Sequence, residues 1–241
     1  MPNDTCSARA PRREVFIAKD GTLVENVPYN IDPALLRFRP AAREALAALA
    51  RAGFALLLAT NQSGLARGFF TRRQFARLQG VLEQRLHDEA GITLLDVLVC
   101  PHAPGEGGAP ACLCRKPAPG LLLQAARMHR LDLAASWMVG DTLDDVEAGR
   151  RAGCRTVLLD SGGETVWRRS PMRTPHARLQ DWDEVAHLVL AADHSADDSP
   201  RSPGSPGSAA LAAASAKSAS VAGAAGMRFA LIGSCHCPPI L

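Results

Sequence analysis

Five short, largely apolar runs recur along the first two-thirds of the chain, separated by stretches with helical periodicity. They are Val15 to Ala18, Phe54 to Ala59, Leu94 to Val99, Ser136 to Val139 and Thr156 to Leu159. Between them, residues 40–52 set Leu46 and Leu49 on an Ala-rich helix stopped by Gly53. Thr71 with Gln74 forms a capping-box signature, followed by Phe75, Leu78, Leu82 and Leu86 at helical spacing. Pro119 to His129 and residues 142–152 predict two more helices. Continuous strands alternating with helices imply an α/β fold, a parallel sheet with helices on both faces. In such an open sheet the ligand crevice lies at the carboxyl ends of the strands. Polar groups follow four of the runs: Lys19-Asp20, Thr60-Asn61, Cys100 and Gly140-Asp141. A composite site along one sheet edge is expected.

The alternation ends near residue 190, which predicts a folded domain over 12–190 and a low-complexity, disordered tail over 191–241. Of the 28 residues from Ser199 to Gly226, 24 are Ala, Ser, Gly or Pro, too little apolar surface to offset ordering entropy. The closing Cys235-His236-Cys237 is read as stray ligating groups on a flexible end. No apolar run approaches the roughly 18 residues needed to cross a bilayer, and the first residues carry no hydrophobic signal core. A cytoplasmic chain without a membrane partner is expected. The net charge of +3, from 27 basic and 24 acidic residues, is too small to argue for nucleic acid.

Three of the seven cysteines crowd one loop: Cys100-Pro-His102, then, nine residues on, Cys112-Leu-Cys114. Three thiolates and an imidazole suit closed, tetrahedral, structural Zn²⁺. The intervening Ala103 to Ala111 has no apolar anchor of its own, so the metal would order it and position Arg115 and Lys116, which follow directly. Cys6, Cys154, His87 and His129 are assigned no role.

Asp20-Gly21-Thr22, Thr60 to Gly68, Lys116 ahead of a helix, and Gly140-Asp141 each sit at a strand end or helix start. In this order they resemble the four motifs of the haloacid-dehalogenase (HAD) superfamily, whose fold is Rossmann-like. Lys19-Asp-Gly-Thr22, Thr60-Asn-Gln-Ser-Gly-Leu-Ala-Arg-Gly68, Cys100-Pro-His102, Cys112-Leu-Cys-Arg-Lys-Pro117 and Met138-Val-Gly-Asp141 are closer still to its heptose-1,7-bisphosphate 7-phosphatase branch. Histidinol-phosphate phosphatases are the neighbouring branch and share the zinc loop. The resemblance covers nearly all of 12–190 and implies a Mg²⁺-dependent phosphatase of a lipopolysaccharide-precursor pathway. Its substrate would be a small phosphosugar, with histidinol phosphate as the competing choice, and its state monomeric. It implies that Asp20 is the general acid/base and gives its carbonyl to Mg²⁺, and that Asp141 ligates the same ion. Thr60, Asn61 and Lys116 would hold the phosphate, Arg115 would recognise substrate, and Thr142 would touch substrate or the metal's surroundings. Asn26, Val27, Pro28 and Tyr29, with Thr60, Asn61, Gln62 and Ser63, would contact the sugar. Asp141 alone also reads as a helix N-cap. Asp145 reads as support for that corner, or as solvent-facing like Asp144.

One position departs from the resemblance. The family pattern has Asp two residues before the acid/base; this chain has Ala18-Lys19-Asp20. Residues two apart on a strand end point the same way, so Ala18 puts a methyl group where the attacking carboxylate belongs. A methyl neither attacks phosphorus nor ligates Mg²⁺. Impaired catalysis is expected, with non-catalytic phosphosugar binding as the alternative outcome.

Overall fold

The computed structural model describes residues 13–105 and 112–197. Six strands form one parallel sheet: β1 (Glu14–Ile17), β2 (Ala55–Asn61), β3 (Asp96–Cys100), β4 (Trp137–Gly140), β5 (Arg155–Leu159) and β6 (Ala177–Leu179), in the order β3-β2-β1-β4-β5-β6. Five helices connect and follow them: α1 (Ala42–Arg51), α2 (Arg72–Ala90), α3 (Gly120–His129), α4 (Leu143–Ala152) and α5 (Trp182–Asp197). The strand order reverses at β1, so the carboxyl ends of β1 and β4 flank the crevice that such sheets use for ligands.

Side-chain alternation along β1 divides the interior. Val15 and Ile17 face a core that contains Leu46 and Leu49 of α1, Leu78, Leu82 and Leu86 of α2, and Trp182, Val185 and Val189 of α5. Phe16 and Ala18 face the opposite core, with Leu121, Leu122 and Ala125 of α3 and Met138 of β4. Thr71 caps α2 as its sequence predicts: its Oγ1 accepts from Gln74 N at 3.2 Å, and Gln74 Oε1 accepts from Thr71 N at 2.8 Å.

Three boundaries differ from expectation. β2 runs on to Asn61 because its end pairs with β3, Asn61 opposite Cys100, so Thr60, Asn61 and Cys100 lie on strands and not after them. β6 is three residues long, too short to carry a readable period. The last helix crosses residue 190 to reach Asp197, because Leu190 and Ala192 pack against the core and Arg13 ion-pairs with Asp193. The low-complexity stretch, Cys6 and the terminal Cys-His-Cys lie outside the described residues. No helix among those described is long and apolar enough to cross a membrane.

Glu14 opens β1 at the end of the sheet away from the crevice, fully buried, and neither carboxylate oxygen meets a hydrogen-bond partner. Burial pushes its pKa up to about 7, and the nearby Asp132 charge adds to the rise. An unfolded glutamate titrates near ~4.3. Between those values the folded chain keeps a proton that the unfolded chain has lost, so stability falls as pH rises through the window and stays low above it. Glu14→Gln is therefore expected to stabilise the protein at pH 8 by about 1–3 kcal/mol and to change little at pH 4, as read from urea unfolding midpoints.

Candidate functional site

The turn that leaves β1 is tight. Gly21 has φ +79°, and a Cβ there would come within 2.0 Å of Asp141 Oδ2, so only glycine admits this approach of backbone to carboxylate. Thr22, next in the turn, donates its hydroxyl to Asp141 Oδ1 at 2.9 Å. From the start of α5 the buried Trp182 indole donates to the Thr22 carbonyl at 2.9 Å. Ala18 is buried just ahead of the turn, and its amide donates to Val139 O of β4 at 2.9 Å.

Beside this turn lies a cavity of about 280 Å³. Asp20 and Lys19 form part of its wall, with Asn61, Gln62 and Ser63 from the end of β2. Asn26, Val27, Pro28, Tyr29 and Asn30, from the loop after β1, complete it. Eight residues expected from the sequence thus share one space, joined by Lys19, which its motif contained without a role, and by Asn30, which no motif contained. Lys19 Nζ pairs with Asp20 Oδ1 at 2.5 Å. Gln62 Nε2 donates to Asp20 Oδ2 at 2.8 Å and to Thr60 Oγ1 at 2.9 Å, tying the β1 turn to β2.

Lys116 is held from three sides. Its backbone exchanges two hydrogen bonds with the Asn61 side chain, each 3.1 Å. Its ammonium donates to Ala59 O at 2.6 Å and pairs with Asp145 Oδ1 at 2.5 Å. Asp145 also accepts from the hydroxyl and amide of Thr142, at 2.7 and 3.2 Å. This corrects one expectation and decides another: Thr142, not Asp141, is the N-cap of α4, and of the two readings of Asp145 the buried support of the corner holds, not the solvent-facing one.

Burial raises the Asp141 carboxyl to about 6, and the neighbouring Asp145 charge pushes in the same direction. Around the turn, the ammonium groups of Lys19 and Lys116 face three carboxylates: Asp20, Asp141 and Asp145. A divalent cation fits that excess of negative charge and that donor set of carboxylate and carbonyl oxygens.

The four predicted soft ligands also converge. Their donor atoms lie within 4.8 Å of one another. Cys100 Sγ is 3.6 Å from both His102 Nδ1 and Cys112 Sγ. Cys114 Sγ is 3.2 Å from His102 Nδ1, 3.3 Å from Cys112 Sγ and 3.4 Å from Cys100 Sγ. A tetrahedron with bonds of about 2.3 Å to sulfur has edges of roughly 3.8 Å, so the cage suits one small tetrahedral ion. Sulfur atoms bonded to each other would stand only ~2.05 Å apart. Burial pushes the Cys112 thiol pKa up, so a bound cation is what would favour its thiolate. The Arg115 amide donates to Cys112 Sγ at 3.3 Å and its guanidinium to His102 O at 3.2 Å. The loop therefore fixes the backbone that leads into Lys116, while the Arg115 side chain lies against the loop and not on the cavity wall.

Residues 113–185 match a family model described as HAD-hydrolase-like. The chain is 35% identical over 179 residues, 73% of its own length and 97% of the relative's, to a D-glycero-β-D-manno-heptose-1,7-bisphosphate 7-phosphatase of Helicobacter pylori. A protein of the same name from Yersinia pestis is 39% identical over 155 residues, 63% of this chain and 82% of that one. Among solved structures, the D,D-heptose 1,7-bisphosphate phosphatase of B. bronchiseptica, complexed with magnesium and phosphate, superposes with a TM-score of 0.65 at 30% identity. It covers 75% of this chain and 99% of that chain.

Proposed function

The chain belongs to the D-glycero-β-D-manno-heptose-1,7-bisphosphate 7-phosphatase family of HAD-like hydrolases, and on that footing we propose that its cavity takes heptose 1,7-bisphosphate with the 7-phosphate inward. Hydrolysis of that phosphomonoester is the family reaction, a step toward the activated heptose of lipopolysaccharide. What supports the reading for this chain is the hydrogen bonding that ties Asp20 to Thr60 through Gln62, and Lys116 to Asn61, both Gln62 and Asn61 being residues of the cavity wall. A hydroxyl and an ammonium held there before substrate arrives need no reorganisation to meet a transferring phosphoryl group.

In this assignment Asp20 protonates the leaving sugar oxygen. Thr60, Asn61 and Lys116 hold the phosphate, and Arg115, whose guanidinium rests on His102 O, would turn from the metal loop to recognise substrate. Asn26, Val27, Pro28, Tyr29, Gln62 and Ser63 surround the sugar, and Thr142 stands at the rim of the phosphate site. Asp141 and the Asp20 carbonyl would hold Mg²⁺, which when bound neutralises charge on the phosphate. Cys100, His102, Cys112 and Cys114 would hold Zn²⁺, which when bound orders the loop and takes no part in the chemistry. The protein would act as a monomer in the cytoplasm. With Ala18 at the attacking position, it would bind this substrate far better than it turns it over.

Calorimetry with Mg²⁺ tests the assignment. Binding of heptose 1,7-bisphosphate at micromolar concentration, well ahead of histidinol phosphate, is expected. Preference for histidinol phosphate, or no binding of the bisphosphate, would overturn it.

A further inference from the structure

The loop that leaves β5 takes no part in the proposed chemistry, yet it meets the corner around Asp141 at three points. Ser161 donates its hydroxyl to the Gly21 carbonyl at 3.1 Å, in the turn that follows Asp20. Glu164 Oε2 accepts from the amide of Leu143, the first residue of α4, at 2.8 Å. The other oxygen of Glu164 accepts from Val166 N at 2.8 Å, which folds the loop back on itself. Between these anchors Gly163 lies against the Asp141 carboxylate: a Cβ there would come within 2.1 Å of Oδ2 and 3.1 Å of Cγ.

The two oxygens of Asp141 are thereby placed differently. Oδ1 accepts the Thr22 hydroxyl. Oδ2 faces two glycines from separate loops, Gly21 and Gly163, whose added Cβ atoms would stand 2.0 and 2.1 Å from it. Carboxylate oxygens hold Mg²⁺ at about 2.0–2.1 Å, so a methyl group at either position would intrude on the space a cation needs. Gly21 answers to its positive φ as well. Gly163 has no such conformation, and the three nearest atoms to its missing Cβ all belong to Asp141. Room beside that carboxylate is therefore what calls for glycine at 163.

We infer that the loop after β5 is a positioning element of the cation site. Gly163 keeps Asp141 Oδ2 open, and Ser161 and Glu164 hold Gly163 in place by tying the loop to the β1 turn and to the start of α4. The inference rests on the proposed assignment of Mg²⁺ to Asp141 and adds residues that no motif contains. Mn²⁺, which shares the preference of Mg²⁺ for oxygen ligands, is the probe. It is titrated onto the full chain with zinc supplied to the cysteine cage, and the free ion is read by electron paramagnetic resonance. Gly163→Ala is expected to weaken Mn²⁺ at least about tenfold, since a carbon forced into packed surroundings displaces its neighbour. Glu164→Ala is expected to cost about three- to tenfold by releasing the Leu143 amide. Glu164→Gln keeps an acceptor for that amide and is expected to recover most of the loss. Unchanged Mn²⁺ affinity in Gly163→Ala, or equal losses in Glu164→Ala and Glu164→Gln, overturns the inference and leaves the proposed function standing. Should Gly163→Ala fail to fold, the Glu164 pair decides. Failure of the unsubstituted chain to bind Mn²⁺, or binding that Asp141→Asn leaves intact, overturns the assignment of the cation to Asp141, and this inference with it.

Discussion

Ala18→Asp is expected to raise phosphate release from heptose 1,7-bisphosphate by several orders of magnitude. Removing a covalent nucleophile from a hydrolase costs on the order of 10⁶ in turnover, and on the proposed assignment this variant would supply one. Position 18 is buried at the end of β1, with its amide anchored to β4, so a carboxylate there would enter the site on a fixed backbone. Neighbouring acids are already committed. Asp141 accepts from Thr22, Asp145 is paired with Lys116 and bonded to Thr142, and Asp20 is paired with Lys19. Glu14 lies at the opposite end of the same strand. Colorimetric phosphate assays of both proteins measure the difference, and acid-quenched Ala18→Asp should yield a peptide phosphorylated at residue 18. Comparable turnover from the two chains would show that another group attacks phosphorus.

Removal of metal from the cysteine loop is the second large effect expected. Structural zinc contributes about 10–16 kcal/mol to isolated finger peptides. Here the three cysteines share a core with Phe16, Leu57, Leu98, Leu121 and Leu122, whose packing needs no metal, so a smaller share applies. Even about 4 kcal/mol would lower the melting temperature of a chain this size by roughly 8–16 °C. Chelation, or Cys112→Ser, should produce that shift and release one zinc per chain by elemental analysis. Phosphosugar affinity should also fall at least about tenfold, since Lys116 loses one of the supports that fix its backbone. A stripped protein with unchanged melting and unchanged affinity would reduce the cage to four unrelated side chains.

The sheet and most of its helices were legible because their signals are local. Val15-Phe16-Ile17 alternates between two cores, Thr71 and Gln74 cap reciprocally, and Leu78, Leu82 and Leu86 repeat at one helical turn. β6 was not, because three half-exposed residues carry no period and owe their place to pairing with β5. In the site, residues in motif order could be named from the sequence, whereas those recruited by tertiary approach could not. Asp145 reads as support for its corner or as a solvent-facing acid until Lys116 arrives from another loop and decides between them, and the hydrogen bond from Thr22 to Asp141 joins two segments far apart in sequence. The run of acids at Asp144 and Asp145 hid their difference: the first bonds Arg173 near the surface, while the second is buried.

Trp182 carries a temporal consequence. Its indole grips a carbonyl 160 positions upstream, so the turn bearing Asp20 is pinned by a helix that is synthesised after all six strands. The strands of a nascent chain can pair before that helix exists, yet the turn stays unlatched until it docks. A polypeptide terminated ahead of Trp182 would keep its sheet and lose the clamp on this turn.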